Sequence, residues 1–199
     1  MSTIILKNRI KEYLLHHLST HRYEHTLGVA KAARDLAVRY GADPDRTEMA
    51  GLLHDIAKER SLEEMQQLAS QAFPEELDSA ILSNRGLLHG YAAVTVARER
   101  YGIHDADILK AIAHHTTGAT IMGIMEKIVF LADYIEVNRE YDGVWALRQA
   151  AERDLDEAVL LGYDSTIGHL LDQKKTIYVG TVNNRNYHLQ QMQQGKEHK

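Results

Sequence analysis

Cysteine is absent from this chain of 199 residues. That removes disulfides, thiolate nucleophiles and cysteine-type zinc sites, and it fits a reducing compartment. Proline and phenylalanine occur only twice each, so few breakers interrupt the helical periods. No apolar run approaches the ~18 residues of a spanning helix. The first eighteen residues, MSTIILKNRIKEYLLHHL, carry too much charge for a signal-peptide core. These absences point to a cytoplasmic protein away from membranes. The net charge is -5, so there is no global basic field for nucleic acid. A negatively charged substrate then needs a local positive site. No glycine-rich phosphate loop, strand alternation, internal repeat or low-complexity segment is present either.

What remains reads as all-α. Apolar residues recur at helical spacing over 4–18, and a second helix spans 22–40 with Gly41 as its C-cap. Asp43 and Pro44 open a helix that is expected to run through GLLHDIAK at 51–58. Ser61 and Glu64 have capping-box spacing, and Pro74 is placed to start the next helix. Residues 89–101 end before Gly102, Asp105 caps ADILKAIAHH, and 121–138 form the most apolar helix. Two amphipathic helices follow, then a polar end. The simplest organisation is one helical-bundle domain over 1–199, with a core at about 18–140, a helical C-terminal part at about 141–190 and a frayed tail at about 191–199.

Histidine is plentiful, with twelve copies. His54 and Asp55 directly follow Leu52 and Leu53. Consecutive helical residues point about 100° apart, so the two converge only on a point above the helix between them. A metal ion suits that point, since imidazole nitrogen and carboxylate oxygen both bind Fe, Mn or Zn. A hydrogen-bonded core histidine beside a helix-end aspartate is the plain alternative. His25 lies three residues after Arg22 and close to the apolar stripe of its helix. Asp133 lies in IVFLADYIE, where an unpaired carboxylate would cost several kcal/mol; either an arginine or a metal resolves it. His89, His114 and His115 supply further nitrogens for a second metal or a phosphate-binding wall. Lys58 follows Asp55 by three residues, on the same helix face. Glu63, Glu64, Glu75 and Glu76 read as helix-start charges, and Glu126 and Glu136 as surface ion pairs. His16, His17, His104, His169 and His188 read as structural or exposed, and His21 as support for His25.

The ordered set His25, His54-Asp55 and Asp133 resembles the ligand pattern of the HD superfamily of metal-dependent phosphohydrolases. The phrases HRYEHTLGVA, AGLLHDIAK, LLHG, HHTTG and ADYIEVNR look like its bacterial YqeK branch, which contains symmetrical bis(5′-nucleosyl)-tetraphosphatases. The likeness runs from about 20 to about 190. It implies an all-α HD-type bundle and a primary metal, usually iron, on His25, His54, Asp55 and Asp133, with Mn, Co or Zn as alternatives and one or two ions. It implies phosphate contact by Lys58. Arg22, His89, His114, His115 and Arg139 fall where the family contacts nucleotide phosphates or a second metal. Thr181, Arg185 and Asn186 in TVNNRN are similar to its late nucleotide contacts, although Val179-Gly180 stands where a proline is expected nearby. The activity implied is hydrolysis of diadenosine tetraphosphate at its centre to two ADP by a metal-bound hydroxide. Asp55, Lys58, His89 and His114 form the catalytic group. Other nucleotidase or phosphodiesterase substrates, and a nucleotide-binding regulatory module, are the alternatives. The partner is a small nucleotide, and a homodimer is an open question.

Overall fold

In a computed structural model describing residues 2–74 and 77–197, the described chain is helical with no strand. The elements are α1 (Thr3–His17), α2 (Thr20–Tyr40), α3 (Pro44–Leu53), α4 (Leu62–Ala72), α5 (Ser79–Leu82) and α6 (Arg85–Tyr101). Then come α7 (Ala106–His114), α8 (Ile124–Ile135), α9 (Val144–Arg153), α10 (Leu155–Asp172) and α11 (Val179–Glu197). Residues 191–197, expected as tail, continue α11.

Side-chain caps set several of these boundaries. Asp43 Oδ1 accepts from the backbone of Asp45 and Arg46 at the start of α3. Ser61 and Glu64 form the reciprocal capping box of α4, at 3.2 and 2.9 Å. Asp105 caps α7 and is held in turn by Arg46 at 2.6 and 2.8 Å. Pro74 does not start a helix; it sits in a turn, and Asp78 caps α5 instead. Glu75 and Glu76, expected as helix-start charges, lie outside the described residues.

The segment GLLHDIAK departs most from expectation. α3 stops at Leu53, and residues 54–59 wind as successive turns. Their bonds span three residues: Ile56 N to Leu53 O, Lys58 N to Asp55 O and Arg60 N to Ala57 O. Three residues per turn eclipse side chains at i and i+3. Asp55 and Lys58 therefore share a direction more closely than an α-helix would allow.

The core is aliphatic. Leu52 and Leu53 of α3, Leu88 of α6, Ile112 of α7 and Leu131 of α8 are each fully buried. They anchor the four elements that carry His54-Asp55, His89, His115 and Asp133. Two close approaches set the spacing between elements. A Cβ on Gly51 would lie 2.9 Å from Ala30 Cα, against the α2 backbone. A Cβ on Gly90 would lie 2.9 Å from the carbonyls of Ile112 and Ala113. Backbone cannot yield as a side chain can, so α3 meets α2, and α6 meets α7, at distances only glycine permits. Those crossings bring His54 toward His25, and His89 toward His115.

Gly51→Ala should therefore separate α2 and α3. Overpacking of this kind costs about 1–3 kcal/mol. A lowered thermal midpoint together with weaker metal binding is expected, read by scanning calorimetry and metal titration; an unchanged midpoint would show that the crossing tolerates a methyl.

Candidate metal centre

Six side chains from five parts of the chain converge in the core. His25 comes from α2, His54 and Asp55 from the turn after α3, His89 from α6, His115 from the end of α7, and Asp133 from the last turn of α8. His25, His54, Asp55, His89 and His115 are at most 3% exposed. Their ligand atoms fall into three groups of mutual proximity: His25–His54–Asp55, His54–His115–Asp133 and Asp55–His89–His115. Asp55 joins two of the groups and His54 two, so the cluster is continuous.

Hydrogen bonds decide which ring nitrogen faces inward. A carbonyl only accepts. His54 Nδ1 lies 2.7 Å from Gly51 O, His115 Nδ1 2.7 Å from Ile112 O, and His89 Nδ1 3.2 Å from Arg85 O. Each Nδ1 must carry the proton and donate it. Each Nε2 then faces the centre and offers a lone pair whenever its ring is neutral. His25 has the same arrangement with a carboxylate: its Nδ1 donates to Glu136 Oε1 at 3.1 Å, while Glu136 Oε2 accepts from Asn138 N at 2.8 Å.

The inward atoms are short of donors. Among the described residues, His25 Nε2, His54 Nε2 and Asp55 Oδ1 are buried without a hydrogen-bond partner. His25 Nε2 is 3.0 Å from Asp133 Oδ1 and His89 Nε2 is 3.0 Å from Asp55 Oδ1. Those approaches lack hydrogen-bond alignment, as expected of atoms that share a third body. Unsatisfied buried polar atoms are costly, and a cation satisfies all of them together. The nitrogen and carboxylate donors fit a transition metal.

Charge around the cluster is arranged to keep these donors available. Burial raises the Asp55 carboxyl, but His54, His89 and Lys58 outweigh it and hold the group well below the usual carboxylate range. Burial likewise opposes ionisation of Asp133; His25, His54 and Arg139 overcome it and keep it ionised. Burial drives His115 well below the ordinary histidine range, with His89 and His54 adding to the effect, and burial lowers His89 too. Burial also lowers His54, yet Asp55 and then Asp133 turn its net shift upward.

Three cations line the carboxylates. Arg22 Nη1 is 2.8 Å from Asp55 Oδ2, and Lys58 Nζ is 3.5 Å from Asp55 Oδ1 and 3.0 Å from His89 Nε2. Arg139 binds Asp133 twice, through Nη2 to Oδ1 at 2.7 Å and through Nε to the backbone carbonyl at 2.8 Å. Asp133 thus has both of the partners its sequence left open, an arginine and a place at the centre.

Other expected residues stand elsewhere. His114 points its Nδ1 at Glu126 Oε1, 2.6 Å away, although its neighbour His115 joins the cluster. Arg185 is held by Asp164 at 2.7 Å and also reaches Asn186 Oδ1, and Thr181 is buried at the start of α11. From the same helix it is Asn184 that contacts the loop behind His115, through Thr117 O at 3.1 Å.

Glu136 and Glu126 correct a sequence expectation. Both are buried, not surface ion pairs. Glu136 orients His25, and Glu126 binds His114 while accepting from Gly123 N at the start of α8. One signal pointed to Glu136: Gly28 stands one turn after His25, inside a helix where glycine costs about 1 kcal/mol. A Cβ there would overlap the Glu136 carboxylate.

The HD domain family matches residues 22–138. The chain is 42% identical over 166 residues to a protein of Halalkalibacterium halodurans named bis(5′-nucleosyl)-tetraphosphatase, symmetrical, covering 83% of this chain and 88% of that one. A Bacillus subtilis protein of the same name is 38% identical over 165 residues, covering 82% and 87%. A crystal structure of a predicted HD superfamily hydrolase involved in NAD metabolism, from Clostridium acetobutylicum, superposes with a TM-score of 0.87 at 39% identity, over 92% of this chain and 97% of that one.

Two outcomes are expected. Glu136→Ala should lower metal affinity about 10–100-fold, the range for removing a group that orients a ligating histidine, with helicity by circular dichroism unchanged. Metal affinity should also rise with pH. His89 and His115 are already neutral, whereas the proton favoured on His54 competes with the ion and is lost as pH climbs through its raised pKa. Titrations with one metal across a pH series would read this; a flat profile contradicts it.

Proposed function

The chain belongs to the HD-domain family, and from that membership we propose that it is a metal-dependent hydrolase cutting diadenosine tetraphosphate symmetrically into two ADP. One observation carries the metal requirement: buried lone pairs of His25, His54 and Asp55 converge with no donor to meet them. His25, His54, Asp55 and Asp133 would hold the ion, with iron as the metal of choice and Mn, Co or Zn admitted by the same donors. When bound, such an ion supplies Lewis acidity and lowers the pKa of a coordinated water toward neutrality.

The chain's own residues provide the rest. Arg22, Lys58 and Arg85 line an open cleft beside Asp55 and His89. The lysine and Arg22 are tethered to Asp55 and partly exposed, so their charge is fixed in place for equatorial and leaving phosphate oxygens. His89 and His115 were open to two roles, a second ion or a phosphate wall. Lys58 Nζ at 3.0 Å from His89 Nε2 supports the second role, because the chain already delivers a cation there. His89, with its Nδ1 proton on Arg85 O, then accepts from Lys58 and would position that cation for the leaving oxygen. Arg139 orients Asp133 from the opposite side. Thr181, Arg185 and Asn186 would contact nucleotide after Arg185 exchanges its Asp164 partner, and His114 would reach it only by leaving Glu126. Both costs make them secondary to Arg22, Lys58 and Arg139.

Elemental analysis of purified protein should give about one metal ion per chain, and chromatography of the products from diadenosine tetraphosphate should show ADP alone. ATP with AMP would replace this reading with an asymmetric hydrolase. An intact dinucleotide beside turnover of another nucleotide would favour a nucleotidase or phosphodiesterase. Bound ADP without turnover of any polyphosphate would favour a regulatory module. Asp55→Ala should abolish metal binding and activity together. Lys58→Ala should keep the metal but slow turnover about 10²-fold, the effect of removing one transition-state donor; full activity would remove that role.

A further inference from the structure

A second cleft, of about 490 Å³, opens on the far side of the metal centre and shares His25 and Arg139 with it. Its character differs from the cleft at Arg22, Lys58 and Arg85. There, three cations face Glu59 as the one acidic lining group, and Glu59 is bonded to Ser19 through both its oxygens. In the second cleft Arg139 is set against Glu136 and Glu140, and the remaining lining is aromatic, apolar and polar, with Tyr134, Tyr141, His169, Leu170 and Thr166 among it. A tetraphosphate would be repelled from such a wall and drawn to the first cleft. An uncharged heterocycle with a sugar would find aromatic surface and hydroxyl partners, in a volume ordinary for a small-molecule site.

The wall is also fixed before anything binds. Thr166 Oγ1 donates to Gly162 O at 3.2 Å, which leaves it to accept from Tyr134 OH at 2.6 Å. Tyr141 OH donates to Tyr134 O at 3.1 Å. None of these residues ligates metal, and the phosphate chemistry does not require them.

We propose that this second cleft, between α8 and α10, is the subsite for one nucleoside of the dinucleotide substrate, with its phosphates passing Arg139 toward the metal centre and Lys58. The proposal rests on the dinucleotide reading of the substrate. It makes Tyr134, Tyr141 and His169 determinants of recognition, and Arg139 the boundary between nucleoside and phosphate.

Two measurements test it. Adenosine, used as a probe without phosphate, should bind the full-length protein by ligand-observed NMR, and Ser165→Trp, which fills the cleft, should remove the signal. With metal-loaded enzyme, Ser165→Trp and the exposed-residue variant His169→Ala should raise KM for diadenosine tetraphosphate, about tenfold for the filled cleft and several-fold for His169→Ala. Metal content and kcat should stay near the parent values. Unchanged KM in both variants, or adenosine binding that survives Ser165→Trp, overturns the proposal. Adenosine binding lost in Ser165→Trp, beside a parent that never cleaves the dinucleotide, would keep the subsite and remove the substrate reading alone.

Discussion

Everything at the centre depends on four imidazole Nδ1–H groups being occupied from behind. Gly51 O, Ile112 O, Arg85 O and Glu136 Oε1 each accept one. Without those acceptors the rings could flip or change tautomer, and the inward lone pairs would be replaced by protons. Two of the carbonyls lie three residues before the histidine that they orient, and Arg85 lies four before His89. For those three rings orientation is thus local, whereas the Glu136 contact to His25 and the convergence of all four come from packing. Leu52, Leu53, Leu88, Ile112 and Leu131 carry that second task, and Gly51 and Gly90 set how near their elements come.

The cluster also explains how so much polarity is tolerated in an aliphatic core. Asp55 has cationic or imidazole neighbours on both oxygens, and Asp133 is braced by Arg139 from its own helix end. Carboxylates held this way stay charged without a proton, and burial keeps His89 and His115 neutral although Asp55 lies beside both. Opposite pressures on neighbouring groups, burial for His89 and His115 and cations for the acids, prepare these donors, while His54 must still release the proton that Asp55 and Asp133 favour.

Much of this was legible in the sequence. His54-Asp55 after two leucines, and Asp133 within the most apolar helix, were conspicuous because charge against core demands a partner. Periodicity and caps located α2, α4, α6 and α7 closely. The end of α3 was not legible: LLHDIA keeps a helical pattern, and only tertiary packing tightens it into three-residue turns. Glu136 and Glu126 read as surface because glutamates at the ends of a helix are usually solvated; Glu136 is buried where α8 meets α2 at Gly28, and Glu126 where it meets His114 at the end of α7. His114 and His115 were equivalent as letters, and the α7 ending separated them, one into the cluster and one toward Glu126. The pairing of Arg185 with Asp164, twenty-one residues away, was equally out of reach.

The helix ends noted above have an electrostatic consequence of their own. His54 caps the C-terminus of α3, His115 caps that of α7, and Asp133 lies two residues before the end of α8. Three macrodipoles therefore present their negative poles to one point, each equivalent to roughly half an elementary charge. The backbone itself, before any side chain is counted, draws a cation inward and turns a polyanion away. A cation held there would reverse the local field, so that a phosphate chain could follow it.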